Sequence, residues 1–133
     1  MRPIRILSVD GGGVRGRAVL EILSTQLKAA GFPEDVRPCE VFDLIGGTST
    51  GGLVSLLLGR LGMTIPEAIE IYEEVSKAVF DSPALVQSGR FLMRGERFSS
   101  KTFKKVMEEV ALARTGNKDE SLVDSPSYTG AKT

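Results

Sequence analysis

The sequence predicts a three-layer α/β fold. Two short apolar runs, residues 4–9 and 41–45, are each stopped by glycines. Each glycine turn is followed by apolar residues at helical spacing. The composition, 41% apolar and 26% charged, is that of a folded globular chain. A chain of 133 residues fits one compact domain rather than two ordinary ones. Two strands cannot form such a sheet alone, so the expectation is the front portion of a larger α/β/α domain that lacks the later strands.

Ile4-Arg5-Ile6-Leu7-Ser8-Val9 is rich in β-branched residues and reads as a buried strand, broken by Gly11-Gly12-Gly13. Between residues 15 and 30, Val19, Leu20, Ile22, Leu23 and Leu27 recur with helical spacing until Gly31 and Pro33 end the helix. Residues 35–40 read as a loop. Val41-Phe42-Asp43-Leu44-Ile45 is the second strand, stopped at Gly46-Gly47. A second helix starts near Thr50 and carries Leu53, Val54, Leu56, Leu57 and Leu58 toward Gly59 or Gly62. Thr64, Pro66 and Glu67 open a third helix with a capping box, and Ile69, Tyr72, Val75, Val79 and Phe80 form its apolar face as far as Ser82-Pro83. Residues 83–98 have no clear period and read as an irregular surface segment. Ser99 or Ser100 caps a fourth helix, with Phe103, Val106, Met107, Val110 and Leu112 expected to face inward. Beyond Gly116 the residues are small and polar, and no internal repeat occurs.

Charge and composition narrow the function. Lysine plus arginine equals aspartate plus glutamate at 17 each, so net charge gives no footprint for nucleic acid. The single cysteine, Cys39, has no partner for an internal disulfide and fits a reducing compartment; bordering a strand, it is expected to be a small buried apolar residue. The first residues contain no apolar run of leader length, and no stretch approaches the ~20 apolar residues of a membrane span. The expectation is a soluble cytoplasmic protein. Histidine is absent, which removes Ser-His-Asp and Cys-His mechanisms completed within this chain, and zinc sites that use histidine.

Two glycine turns carry the chemistry. Gly47-Thr48-Ser49-Thr50-Gly51 matches G-x-S-x-G, the sharp strand-to-helix turn that raises a nucleophilic serine above a sheet edge. Crowding there demands small neighbours, and Gly47, Gly51 and Gly52 supply them. A helix N-terminus beneath Ser49 places amide groups where an oxyanion forms. The competing explanation is a glycine-rich tight turn with an incidental serine.

Asp10-Gly11-Gly12-Gly13-Val14-Arg15-Gly16 exposes unhindered amides between a strand and a helix. Three readings compete. Gly11, Gly13 and Gly16 satisfy the dinucleotide pattern, but the next strand ends in glycines rather than in an acidic residue. A P-loop would need Lys and Ser/Thr where Arg17-Ala18 stands. An oxyanion hole serving Ser49 needs donors from a second loop, and no other glycine-rich strand end exists. Paired with the serine turn, the loop favours this third reading.

These two motifs, some thirty residues apart, resemble the patatin-like phospholipase family. The resemblance covers roughly residues 4–115 and implies a patatin-like three-layer fold, present here as its N-terminal part. It implies that Ser49 is the nucleophile and that the loop of Gly11, Gly12, Gly13, Val14, Arg15 and Gly16 supplies the oxyanion hole. It further implies hydrolysis of lipid acyl esters without metal or other cofactor, on a Ser-Asp dyad that needs no histidine. The family's aspartate lies in an Asp-Gly-Gly or Asp-Gly-Ala motif, and none follows Ser49; Asp81, Asp119 and Asp124 precede Ser, Glu and Ser. Residues 1–133 are therefore expected to stop before the catalytic aspartate. A fragment without turnover and a nucleotide-binding module built on residues 11–16 remain the alternatives.

Arg15 matches the family's arginine beside the oxyanion loop and is expected to brace that loop through its carbonyls, with a lipid phosphate as the other role. Asp10 is expected to order the glycine turn by accepting amide hydrogen bonds, and Asp43 to be an ordinary polar strand position. Arg90, Arg94 and Arg97, interleaved with Phe91, Leu92 and Met93, read as a solvated basic loop. The bolder alternative is peripheral contact with membranes or lipid droplets.

Overall fold

Alternation along residues 6–9 decides which face of the sheet is covered. Strand β1 (Ile6–Val9) pairs in parallel with β2 (Leu44–Gly47), Ile6 opposite Leu44 and Leu7 opposite Ile45. Val9 and Ile45 point to one face and are buried, while Ile6, Ser8 and Leu44 share the other face and are exposed. The computed structural model describes residues 2–80, 100–117 and 131–133. The chain divides into two units, residues 1–72 with 121–133, and residues 73–120.

Parallel pairing requires a crossover. In the first unit it consists of a 3₁₀ turn (Gly13–Arg15), α1 (Gly16–Ala29) and a short α2 (Pro38–Val41). After β2, α3 (Thr50–Ser55) packs against both strands and against α1. It runs on into a π-helical turn, Leu56–Arg60, closed by a 2.9 Å bond from Leu61 N–H to the Leu56 carbonyl. Leu20, Leu23, Ile45, Val54, Leu57, Leu58 and Tyr72 form the core of this unit. Lys132 bridges Leu44 in parallel on the other edge of β2, with Ile45 N–H donating to the Lys132 carbonyl at 2.8 Å. Strand, crossover and strand in one parallel sheet, with helices against its buried face, make this an α/β fold.

Helix α4 (Ile65–Phe80) begins as expected: Thr64 N–H donates to Glu67 Oε2 at 2.8 Å, and Glu67 N–H to Thr64 Oγ1 at 3.4 Å. In the second unit, α5 (Ser100–Thr115) buries Val110 and half-buries Val106 and Met107. Leu112, expected inward, is 51% exposed. It lies two residues past Val110, about 200° around the helix.

Two other expectations are corrected. Residues 35–40 are not all loop, because Pro38 starts α2 at its first position, where a fixed φ suits a helix. Val41 consequently belongs to that helix, Phe42 N–H closing it on the Pro38 carbonyl at 2.9 Å. The second strand shifts to Leu44–Gly47 and includes the two glycines thought to end it. The segment 83–98, with Arg90, Arg94 and Arg97, lies outside the described residues, as do Asp81, Asp119 and Asp124.

Asp43 does more than occupy a strand end. Its carboxylate receives both Arg2 guanidinium nitrogens, at 2.8 and 2.5 Å, and Arg5 N–H at 2.9 Å. The hydrogen bond from Arg2, then that from the Arg5 amide, hold its pKa below the usual carboxylate value. A depressed folded-state pKa means stabilisation that is complete above the unfolded value and lost as pH falls through the folded one. The wild type should therefore lose more stability than Asp43→Asn as pH is lowered through and below the ordinary carboxylate range. Urea midpoints measured from neutral to acidic pH check this; parallel curves for the two proteins would refute it.

Candidate active site

Ser49 is the one non-glycine residue with positive φ among those described, at φ 54 and ψ −126. An L-residue adopts such a backbone only where its surroundings impose it. Here the imposition is steric. A Cβ on Gly47 would stand 2.6 Å from the Val9 carbonyl oxygen and 2.5 Å from the Gly51 carbonyl carbon. A Cβ on Gly51 would enter the Val9 carbonyl, 2.8 Å from its carbon and 3.0 Å from that of Asp10. Strand β1, strand β2 and α3 thus meet backbone to backbone, and the chain can turn from β2 into α3 only by forcing Ser49 outward. Thr48 N–H donates to the Val9 carbonyl at 3.2 Å, and Gly52 N–H to the Ser49 carbonyl at 2.9 Å, fixing the turn from both sides.

The first glycine loop lies against this serine. A Cβ on Gly11 would be 2.7 Å from Ser49 Cβ and 3.4 Å from its Oγ. Gly11 N–H points to Thr48 Oγ1 at a long 3.4 Å, and Gly12 N–H donates to Thr50 Oγ1 at 3.0 Å. The two threonines flanking the serine therefore dock the loop onto the turn. Gly13 has φ +56, and its N–H, like that of Thr50, meets no acceptor among the described residues. Of the predicted site residues, Gly11, Gly12, Ser49, Thr48 and Thr50 are brought together, with Gly47 and Gly51 beneath them.

Arg15 and Asp10 behave otherwise than expected. Arg15 is exposed, and its guanidinium reaches no carbonyl among the described residues; its backbone N–H bonds Gly12 O at 3.2 Å, and its Cβ lies over Gly12. Asp10 is exposed and accepts no amide bond there, so the threonine hydroxyls order the turn in its place. Cys39 sits in α2, half-buried, rather than bordering a strand in the core. Among the described residues, no group of three or more His, Cys, Asp or Glu could hold a metal, and no helix is long and apolar enough to cross a membrane.

Tyr72 was legible only as part of an apolar helix face. In the structure its hydroxyl donates to the Gly13 carbonyl, and its ring fills the space beside Gly16, where a Cβ would lie 2.5 Å from Cε2. A tyrosine on a buried helix stripe, about two turns before the helix end, carries no sequence mark of that task.

A strained serine at a strand-to-helix turn, with a glycine loop docked on it, is thus the centre of the candidate site in this α/β fold. The model of the patatin-like phospholipase family matches residues 7–127, and the chain belongs to that family. It is 34% identical to Phospholipase A I of Arabidopsis thaliana over 86% of this chain and 10% of that protein. It is 31% identical to the human calcium-independent phospholipase A2-gamma over 81% of this chain and 13% of the relative. Patatin-17 of Solanum cardiophyllum is 33% identical over 80% of this chain and 28% of its own length. The chain thus spans less than a third of the length of each of these curated relatives. No solved structure gives a significant match.

Proposed function

We propose that these residues form the nucleophile half of a lipid acyl hydrolase in which Ser49 attacks the ester carbonyl. The observation that carries this is the backbone of Ser49, φ 54 and ψ −126, held in a turn that only close glycine contacts enforce. Ser49 Oγ bonds to the acyl carbon, and the carbonyl electron pair moves onto oxygen, where the amides of Gly13 and Val14 in the glycine loop and of Thr50 receive it, those of Gly11 and Gly12 being already given to Thr48 and Thr50. Collapse expels the lipid alcohol with a proton, and water then releases the fatty acid from the acyl-serine. The serine's proton goes to an aspartate of an Asp-Gly-Gly or Asp-Gly-Ala motif, which these 133 residues do not contain after Ser49. Turnover is assigned to a polypeptide that carries that motif. The substrate class, phospholipid or other acyl ester, is supported by the relatives named phospholipases, and contact with a lipid surface goes with it.

The test is labelling of the chain by an alkyl fluorophosphonate. Ser49 should be phosphonylated and Ser49→Ala should not. Without an aspartate or histidine base, the rate should climb with pH in proportion to hydroxide. A folded wild type that stays unlabelled even at alkaline pH, or label that survives in Ser49→Ala, would remove the proposal.

A further inference from the structure

We infer that Tyr72 is a positioning residue for the oxyanion loop, holding the peptide between Gly13 and Val14 in one orientation. The inference rests on the Ser49 reading above and deepens it. Three successive glycines have no side chains to fix their peptide planes, and an unconstrained loop of this kind populates many orientations. Gly11 and Gly12 are fixed through their amides by Thr48 and Thr50. Gly13 is held from the opposite direction, through its carbonyl, which accepts the Gly16 N–H that closes the 3₁₀ turn and also the Tyr72 hydroxyl, 59 residues away on α4. In a planar trans peptide the carbonyl and the following N–H point in opposite directions. Anchoring the Gly13 carbonyl toward α4 therefore turns the Val14 N–H away from α4.

The ring is placed as firmly as the hydroxyl. Tyr72 is 2% exposed, and its ring occupies the space that a side chain at Gly16 would need. Gly16 opens α1, so one aromatic residue touches the loop at Gly13 and the helix that ends the loop. A phenylalanine would fill the same space and would lack only the bond to the Gly13 carbonyl. The role proposed is thus separable from packing: the hydroxyl adds a second donor to the Gly16 amide in holding the peptide, and the ring governs stability.

The experiment compares fluorophosphonate inactivation of the wild type and Tyr72→Phe, resolving the maximal rate from the concentration giving half of it. The phosphoryl oxygen of the probe takes the place of the ester oxyanion. Loss of an oxyanion donor lowers rates by ~10²–10³, and a loosened donor should lower the maximal rate by about ten- to a hundred-fold. The half-saturating concentration should stay within about two-fold, since ground-state binding does not use the oxyanion amides. The carbonyl ¹³C resonance of Gly13 should also shift in Tyr72→Phe. An unchanged maximal rate in a folded variant overturns the inference and leaves Ser49 as the nucleophile. A wild type that does not label overturns both. Should Tyr72→Phe not fold, a fluorinated tyrosine at position 72, which keeps the ring and ionises its hydroxyl at lower pH, is measured instead: the maximal rate should fall as that hydroxyl loses its proton, and a rate that rises with pH as in the wild type overturns the inference.

Discussion

Ser49→Gly should make the protein more stable and unreactive at once. The cost of holding a non-glycine residue outside the common regions of φ and ψ is about 1–3 kcal/mol, and Ser49 sits at φ 54 and ψ −126. Glycine reaches that backbone without a Cβ penalty, although its freer unfolded chain returns about 0.4–1 kcal/mol of the gain. The net expectation is a gain of about 1 kcal/mol, read as a higher urea midpoint at unchanged slope. Ser49→Ala keeps the Cβ and hence the strain, so its midpoint should stay near that of the wild type. Both variants lose the hydroxyl, and deletion of a serine nucleophile elsewhere costs on the order of 10⁶ in rate. A midpoint for Ser49→Gly at or below that of Ser49→Ala would show that the turn is relaxed and that its shape carries no functional information.

Gly51→Ala should be the most damaging single methyl among the described glycines. The added carbon would meet the Val9 carbonyl, with carbonyl carbons at 2.8 and 3.0 Å and no flexible side chain to yield. Overpacked cores typically lose 1–3 kcal/mol when side chains can shift, and here two backbones would have to part, so about 3 kcal/mol or more is expected. Gly31→Ala is the control. Gly31 has φ +88 with open space around it, so a methyl there meets only the conformational penalty, about 1–2 kcal/mol. Urea denaturation of the two variants separates a crowding effect from a dihedral one. Equal losses would mean that β1 and α3 do not approach as closely as the structure shows.

The two glycine motifs were readable because both their jobs depend on residue size. Only glycine fits at Gly47 and Gly51, and a strand on one side with a helix on the other fixes the direction of the turn. The first strand and the third helix were readable for similar local reasons, a β-branched run stopped by glycines in one case and the Thr64–Glu67 capping box in the other, although that strand is buried on one face only, Ile6 and Ser8 being exposed. What escaped were matters of partnership. Pro38 started a helical turn within a stretch too short to show a period, and this moved the start of the second strand by three residues and its end by two. Arg15 and Asp10 looked like natural organisers of the glycine loop, yet the threonine hydroxyls took that work, because docking depends on which oxygen the crossover brings near. Tyr72 was readable as a buried position but not for its contact with the glycine loop. Its hydroxyl matters through a carbonyl 59 residues earlier, and nothing local distinguishes it from its apolar neighbours.

The backbone meeting of Val9 with Gly51 also has a consequence in time. The contacts that force Ser49 outward join segments about forty residues apart, and the Lys132 bridge to β2 joins residues 88 apart in number. Pairings of such sequence separation form after local helices, since loop closure must be met before they bring any return. Helices α1 and α4 can therefore arise while Ser49 is still an ordinary serine on an unconstrained chain. The hydroxyl acquires its special geometry only when the sheet closes, so under the reading proposed for Ser49 an unfinished or misfolded chain carries an ordinary serine there.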